Sequence, residues 1–467
     1  MIDRALASNP DLIVERENIQ INRDQVLREL GEFGWRLEGA FDQHRSWDPL
    51  NAREFVQVGE ISIPGNDARV YHEHRQTAQA ALKRKTSFGT EVALRLNVSR
   101  LINSTNEQVK DPDSNSVALF SPELEGFAGI SISQPLLRGL GMSNTLAEVE
   151  LAELKVSAAL LLTRVQAMNL VAEVASRYID VLAADEALAL RKDNVRRAED
   201  LVERNRRREE AGVGVEIEVT TARLAVSQRQ SELIETAAEK VERMNNLLAL
   251  LDEDPTFADG VDFAPVDELF SGEERDDPAE LRNFARLVRA DILYYQRVVD
   301  SAELNLERAE DSVRPQLDLT ASYGVNALAG TAENLANAFE DRQGEEWSVG
   351  FLLKMDLERR APRATVRVAQ RQLFQARVEL SKALRSVALE IDTALQRTES
   401  AEQRLTTAEE AAALAAKRLE QELQALEQGK GDLYRVVEQQ QILGDTEVEV
   451  AATRAFLRKA TVALWMS

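Results

Sequence analysis

Histidine and carboxylate side chains are the groups in this chain that could bind a metal ion or transfer protons. His72 and His74 form an H-x-H pair, but no third ligand is in view, and the 467 residues include no cysteine. We therefore expect surface histidines and no metal site. The carboxylate pairs are spaced like helical surface charges, and no phosphate loop, nucleophile elbow or kinase signature is present. The sequence predicts a protein that is not an enzyme and needs no cofactor.

Two long helical stretches carry many of these charges, and each ends at a glycine turn. Residues 145–211 and 364–428 contain no glycine or proline, so each predicts a helix about 100 Å long. A second helix of about half that length follows each turn. The turns are Gly212-Val213-Gly214 and Gly429-Lys430-Gly431. This pattern predicts an internally duplicated helical hairpin.

Composition narrows the class of protein further. Charged residues make up 29% and aromatic residues 5% of the chain, which is typical of coiled coils and long bundles. On the first long helix, apolar residues recur at spacings of three, four or seven, as in a seam against a neighbouring helix. They are Val149, Val156, Leu160, Ala167, Leu170, Val174, Tyr178 and Val181. The net charge of −23 argues against nucleic acid as a partner, because phosphate binding needs a basic surface.

Segments with two-residue alternation precede both long helices. In residues 88–99, Val92, Leu94, Leu96 and Val98 alternate with polar residues. Similar alternation occurs near residues 35–42, 124–134, 315–326 and 346–356. An ordinary half-buried sheet has the same period, but aromatic residues at the segment ends favour a membrane barrel. Because a pair of strands is not stable alone, we expect these strands to join others, most naturally in an oligomer.

The same segments bear on how the chain could meet a membrane. No apolar run approaches the about 20 residues that a transmembrane helix requires, so the sequence predicts none. A closed barrel instead spans a membrane with strands of about ten alternating residues. Residues 1–6 lack the basic start and apolar core of a signal peptide, so we expect that a leader has been removed or is not included in these residues.

These elements predict two repeats joined by an acidic linker at residues 252–277. The first repeat, 1–251, is predicted to contain a helix at 1–30, strands and an insertion within 33–135, and a hairpin at 143–251 with its turn at 212–214. The second repeat, 278–467, is predicted to contain a helix at 278–314, strands at 315–326 and 346–356, and a hairpin at 364–463 with its turn at 429–431. Residues 48–122 have no counterpart in the second repeat. They form either a hairpin extension or include a further strand at 55–63.

Several motifs resemble the TolC-like outer-membrane efflux proteins. The segment from Ile130 to Gly139, which includes Gln134, Pro135, Leu136 and Arg138, looks like that family's strand-to-helix junction. The other carriers are Ser176-Arg177-Tyr178, Arg289-Ala290-Asp291-Ile292, Pro315-Gln316-Leu317-Asp318-Leu319 and the two glycine turns. Together they cover nearly the whole chain.

The resemblance implies a mainly α protein with β strands. Its duplicated hairpins would form an α-barrel, and its strands would contribute to a transmembrane β-barrel shared by a homotrimer. Such a protein is a passive exit duct in the outer membrane of a Gram-negative-type bacterium, with most of the chain in the periplasm. The implied partners are a periplasmic adaptor, an inner-membrane transporter and outer-membrane lipid.

The resemblance also assigns roles near the glycine turns. Matching the family's aperture onto them places Glu218 and Glu438 at the narrow end, where threefold symmetry would make rings of carboxylates that favour cations. An acidic first-turn residue that interacts with the helix dipole is an equal reading of Glu218. Asp432 reads as an N-cap, since it begins the return helix. With the turn glycines Gly212, Gly214, Gly429 and Gly431, it would contact the adaptor.

A second class of protein is compatible with the long helices. A soluble coiled-coil scaffold, or a periplasmic adaptor, would also present a long hairpin. An adaptor would carry one hairpin and compact β domains, whereas this chain predicts two hairpins. A scaffold would leave the strands with oily exposed faces unexplained.

Overall fold

A computed structural model of the chain describes residues 1–49, 70–104, 120–212, 214–251, 278–342 and 344–466. These residues are mainly helical and include one antiparallel sheet, as predicted. The helices are α1 (Ile2–Ser8), α2 (Pro10–Leu30), α3 (Met142–Glu210), α4 (Glu216–Leu250), α5 (Pro278–Val288), α6 (Ala290–Ser312), α7 (Ala332–Glu340), α8 (Arg360–Glu427) and α9 (Leu433–Met466). The strands are β1 (Arg36–Pro49), β2 (Val70–Lys85), β3 (Glu91–Asn103), β4 (Glu123–Pro135), β5 (Gln316–Ala329) and β6 (Gly344–Lys354).

The chain divides into two compact units, and each takes segments from both halves of the sequence. The helical unit consists of Met1–Ile21, Lys155–Val299 and Ala376–Ser467. The sheet unit consists of Asn22–Leu154 and Asp300–Gln375. The two compact units therefore do not coincide with the two predicted repeats. The limits of the repeats, 1–251 and 278–467, stay a prediction. The acidic linker, 252–277, lies outside the described residues.

The first predicted helix, 1–30, is interrupted at Asn9. This residue is extended, with φ −60° and ψ 123°, because the proline that follows disfavours helical backbone before it. The Asn9 side chain then accepts hydrogen bonds from the backbone N–H groups of Asp11 and Leu12, at 3.1 and 3.2 Å. Two short helices therefore replace one long one. The predicted helix at 278–314 is likewise divided, into α5 and α6.

The two long helices have 69 and 68 residues, which is about 100 Å each. Near the glycine turns, α3, α4, α8 and α9 share one buried apolar cluster, so the two turns lie at the same end of the helical unit. Its members are Leu201, Ala222, Ala415, Leu419, Leu426, Leu433, Val436 and Leu443. Farther along α3, Val174 and Val181 are 1% exposed, whereas Leu160 is 45% exposed. One chain thus covers only part of the predicted seam.

Helices α3 and α9 approach closely at Gly444. A Cβ atom at this position would lie 2.3 Å from Nδ2 of Asn194, whose side chain is buried. Glycine is normally unfavourable within a helix, and here its lack of a side chain lets the two helices meet.

Replacing Gly444 with alanine is therefore expected to destabilise the helical unit by about 1–3 kcal/mol, although the same change in an exposed helix stabilises it. The double variant Gly444→Ala with Asn194→Ala should recover most of that loss, because the smaller partner makes room for the new methyl group. Urea unfolding followed by circular dichroism would measure both. A single variant more stable than the parent would contradict the close approach.

The sheet is a continuous meander in the order β1-β2-β3-β4-β5-β6, with every neighbouring pair antiparallel. Four strands come from the first half of the chain and two from the second. The sequence predicted five alternating segments, and β2 was missed. On the face that is apolar in its neighbours, β2 carries polar residues among the apolar ones, so alternation is weak there. The residues on this face are Val70, His72, His74, Gln76, Ala78, Ala80, Leu82 and Arg84. Residues 55–63, the alternative site for a further strand, lie outside the described residues.

Candidate functional site

The first glycine turn uses its two glycines for different reasons. Gly212 has φ +76°, a left-handed conformation that favours glycine, although a Cβ atom there would meet nothing within 4 Å. At Gly214 a Cβ would lie 3.0 Å from the backbone nitrogen of Glu209. The N–H groups of Gly212 and Gly214 donate to the carbonyls of Glu209 and Arg208, at 2.9 and 3.0 Å. These bonds close the end of α3.

The second turn repeats this arrangement at the same spacing. Gly429 has φ +71° with open space around it, and a Cβ at Gly431 would lie 2.6 Å from the nitrogen of Leu426. The N–H of Gly431 donates to the carbonyl of Ala425 at 2.9 Å. Asp432 accepts a hydrogen bond at Oδ1 from the N–H of Tyr434, 3.1 Å away, which is the bond of a helix N-cap.

The two predicted aperture residues occupy different positions relative to their turns. Counting from Gly212 and Gly429, the counterpart of Glu218 is Arg435, and Glu438 lies one further turn along its helix. Glu218 is in the first turn of α4 and half-buried, and its Oε2 atom is buried without a hydrogen-bond partner among the described residues. Glu438 is exposed. Glu438 therefore lies about 5 Å farther along its helix from its turn than Glu218 does, and the role of either residue at an aperture stays a prediction.

A polar network that the sequence did not reveal joins α3, α4 and α9. Glu232 accepts hydrogen bonds from Arg191, Arg229 and Gln441, at 2.9, 3.4 and 3.4 Å. Arg191 and Gln441 also donate to Asp445, at 3.0 and 2.7 Å. The Arg229 side chain is only 4% exposed, and burial lowers its pKa although Glu232 opposes that shift. Each residue looks like a surface charge in the sequence, because the network exists only when three helices pack.

The predicted strand-to-helix junction is fixed by backbone hydrogen bonds within the sheet unit. The N–H of Leu136 donates to Leu317 at 2.7 Å, and that of Gly139 donates to the Asp311 carboxylate at 2.8 Å. Gly139 has φ +78°, which lets the chain reverse before α3 begins. Arg138 donates from its side chain to Gln316 at 2.9 Å.

Two further junction residues, Gln134 and Pro135, end β4. The side chain of Gln134 is hydrogen-bonded to Thr90 and donates to the carbonyl of Pro135. Pro135 is the last residue of the strand and has no N–H with which to extend the ladder. The junction therefore connects the sheet to α3, and its residues bond to backbone and side-chain groups of Thr90, β5 and α6.

The sheet has one apolar and one polar face, as the alternation predicted. One rung of the apolar face runs through Leu37, Leu82, Leu94, Ile130, Tyr323 and Trp347. On the polar face, Lys83 pairs with Glu38 at 2.5 Å and Asn326 donates to Glu346 at 2.9 Å. The strands have 11 to 16 residues, which is enough to cross a hydrocarbon core.

Helix α7 covers one end of the apolar face. Leu335 and Ala338 are buried against Ala327 and Ala329 of β5, and a Cβ at Gly126 would lie 2.4 Å from the ring of Phe339. The uncovered apolar band therefore ends where α7 begins. Beyond Phe41 and Ala78, which stand at the corresponding level on β1 and β2, the same face first becomes polar, with Gln43 and His74 in contact at 3.1 Å, and Trp47 and Val70 follow near the strand ends.

On the polar face, an aromatic ring covers a pair of glycines. Gly129 and Gly324 face each other across β4 and β5. Cβ atoms there would lie 2.7 and 2.5 Å from the ring of Phe127. The ring supplies the side-chain cover that the glycines lack, which protects the centre of the sheet.

The histidine pair lies on β2. His72 bonds through Nδ1 with Ser104 at 2.9 Å, and His74 bonds with Gln43. Among the described residues, no group of three or more His, Asp or Glu side chains could hold a metal ion. In the described residues, His72 and His74 therefore bond with neighbouring polar side chains of the sheet.

One described helix meets the composition of a membrane span, which differs from the expectation of none. Helix α3 contains an 18-residue window with mean hydropathy 1.3, of which 6% is buried. The expectation was based on uninterrupted apolar runs, whereas this window tolerates a few polar residues. Length and composition alone are weak evidence for a span, since α3 is several times longer than the about 30 Å of a hydrocarbon core.

Comparison with known proteins supports one family. Residues 68–253 match the outer membrane efflux protein family. The solved outer-membrane channel OprN matches with a TM-score of 0.70 and 16% identity, over 100% of this chain and 88% of that one. A membrane protein from Pseudomonas aeruginosa matches with a TM-score of 0.68 and 18% identity, over 100% and 91% of the two chains. The outer membrane protein VceC from Vibrio cholerae gives 0.67 and 14%, over 99% and 93%. No curated protein sequence matches this chain.

Proposed function

We propose that this chain forms the passive exit duct of an export machine, because residues 68–253 match the outer membrane efflux protein family and the fold resembles that of solved outer-membrane channels. We infer from this match that the chain lies in the outer membrane with a long helical portion in the periplasm, and that it acts as a channel and not as an enzyme. The family implies trimeric assembly and pump partners in general. The machine proposed here is a tripartite efflux or type I secretion system, in which a periplasmic adaptor and an inner-membrane transporter supply the energy.

The observation that carries this proposal is the two-faced sheet, whose edge strands β1 and β6 have no further partner strand among the described residues. An open edge cannot lie in lipid, because its N–H and C=O groups would have no partner there. Three copies joined edge to edge would leave no edge. Such a barrel would turn the apolar face to lipid and the polar face to a water-filled lumen.

The helical unit supports the same assembly. The apolar window of α3 is 6% buried, and seam residues such as Leu160 are largely exposed. In water such a surface favours burial against another helix. Neighbouring copies would supply that cover and close a tunnel of helices.

Detergent extraction tests the proposal directly. The channel requires a trimer that is extracted from outer membranes only with detergent and that conducts ions in a planar bilayer. A water-soluble monomer would reject the duct and favour the soluble scaffold. The adaptor and transporter that purify with the trimer would separate tripartite efflux from type I secretion.

The charges beside the turns predict the ion selectivity of the duct. Replacing Glu218 and Glu438 together with glutamine is expected to lower the cation-to-anion permeability ratio about threefold, because two carboxylate rings lose their charge. Arg435→Gln should raise the ratio, since Arg435 is the counterpart of Glu218. Reversal potentials across a salt gradient measure both effects. Glu239→Gln, on α4 and paired with Arg243, is the control. Unchanged selectivity in the double variant would remove these residues from the aperture.

The turns themselves are proposed as the contact for the adaptor. Gly212, Gly214, Gly429, Gly431 and Asp432 lie in two turns at one end of the helical unit, and the glycine N–H groups make the same pattern of hydrogen bonds in both. Most of their residues are exposed, so a partner could reach them.

A further inference from the structure

We propose that strand β1 of one copy pairs with strand β6 of the next, so that the outer-membrane barrel has eighteen strands. This inference rests on the trimer of the proposed function. It concerns which edge closes the barrel, and that decides its width. Six strands from each of three copies give eighteen. If β1 and β2 lay outside the barrel, β3 to β6 would give only twelve.

The first observation is that β1 and β2 continue the sheet without a break. Strand β2 pairs with β3 from Glu73↔Asn103 to Lys85↔Glu91, and β1 pairs with β2 along its whole length. The apolar face also continues, because Leu37 and Leu82 stand on the same rung as Leu94 of β3. Phe41 and Leu37 are 69% and 75% exposed, so this part of the face is uncovered.

The second observation is the direction of the edges. In a six-strand meander, β1 and β6 run in opposite directions. Placing β6 of one copy beside β1 of the next therefore continues the antiparallel order. Pairing β6 with β3 of the next copy would exclude the β1–β2 hairpin from the barrel. The edge of β1 would then stay unpaired, and its apolar residues Leu37 and Phe41 would face water.

The third observation concerns the register in which β6 of one copy can pair with β1 of the next when the barrel closes. Within one copy, Ala40 stands on the same rung as Asn97 and Gly344. A strand tilt of about 35–45° requires a stagger of about six to eight residues across six strands. Because β6 begins at Gly344, the stagger can only proceed toward Lys354. Ala40 of the next copy should then face Gly350 or Leu352, an even shift that keeps both faces continuous.

The consequence is a wide exit. Barrel diameter grows roughly linearly with strand number, so eighteen strands give about one and a half times the diameter of twelve. The lumen would then be lined by the polar side chains of β1 and β2, including Glu38 and Lys83.

Engineered disulfides test which edge closes the barrel, and the absence of native cysteine makes every cross-link interpretable. Ala40→Cys is combined in turn with Ser348→Cys, Gly350→Cys and Leu352→Cys in the full chain. The matched control series combines Asn97→Cys with the same three changes, since Asn97 is the β3 residue on the Ala40 rung. Outer-membrane trimers are oxidised, denatured and separated without reductant.

We expect most chains to migrate as covalent trimers in the Ala40 series with Gly350→Cys or Leu352→Cys, and as monomers in the Asn97 series. Covalent trimers from the Asn97 series would overturn the inference and leave the duct intact. So would a native mass of three chains with no cross-link from any Ala40 pair. A water-soluble monomer would overturn the inference together with the proposed function.

Discussion

Replacing Glu232 with alanine is expected to lower the free energy of unfolding of the helical unit by about 3 kcal/mol. The change leaves Arg229 without its hydrogen-bonded carboxylate, and a buried charge without a partner is strongly destabilising. It also removes one of two acceptors for Arg191 and for Gln441. Urea unfolding of the detergent-solubilised protein, followed at 222 nm, measures the loss.

Two further variants separate this effect from a general loss of charge. Glu239→Ala, also on α4, removes an exposed partner of Arg243 and should cost less than about 0.5 kcal/mol. Adding Arg229→Met to Glu232→Ala should restore much of the stability, because the unpaired buried charge is then gone. Equal losses from Glu232→Ala and Glu239→Ala would show that the network is not a structural centre.

Replacing Gly431 with valine is expected to disrupt the second turn and to abolish export. The new Cβ would lie 2.6 Å from the backbone nitrogen of Leu426, which no rotamer change can relieve. The cost is about 3 kcal/mol, concentrated at the surface proposed to contact the adaptor. Survival of cells challenged with an exported compound measures the loss of function, and a pull-down with the adaptor measures the loss of contact.

The neighbouring glycine provides the control. Gly429→Asn should be tolerated, because the space around Gly429 is open and asparagine adopts the left-handed conformation. Gly429→Ala should cost only about 1 kcal/mol. If Gly431→Val kept full export while Gly429→Asn lost it, the assignment of steric and conformational roles would be wrong.

Features set by local sequence could be predicted, and features set by packing could not. The long helices lack glycine and proline, so their extents were close to those of α3 and α8. The fold class followed from helix and strand periods and is confirmed. Strand β2 was missed because polar residues such as His74 and Gln76 stand on its apolar side, and a strand with weak alternation is specified by its neighbours.

The candidate site also combines features that local sequence predicts with features that only packing determines. The turns could be located because glycine is needed both for a positive φ and for a close backbone approach. The placement of Glu218 and Glu438 at an aperture rests on the resemblance and stays a prediction, and counting from the glycines gives Arg435 as the counterpart of Glu218. The contact of Glu232 with Arg191 and Gln441 depends on three helices meeting, and no spacing along one helix could reveal it.

The two turns share one pattern of glycine hydrogen bonds but differ in charge at matched positions, Glu218 after one turn and Arg435 after the other. In a ring of three chains there would be six such turns, and the charge beside them would alternate between negative and positive around the ring. A partner that recognises only the backbone of the turns would find six equivalent binding positions. A partner that also recognises charge would find three acidic and three basic positions. Successive subunits of a ring-shaped partner would then bind positions of opposite charge, and docking would lower the symmetry of the partner from sixfold to threefold.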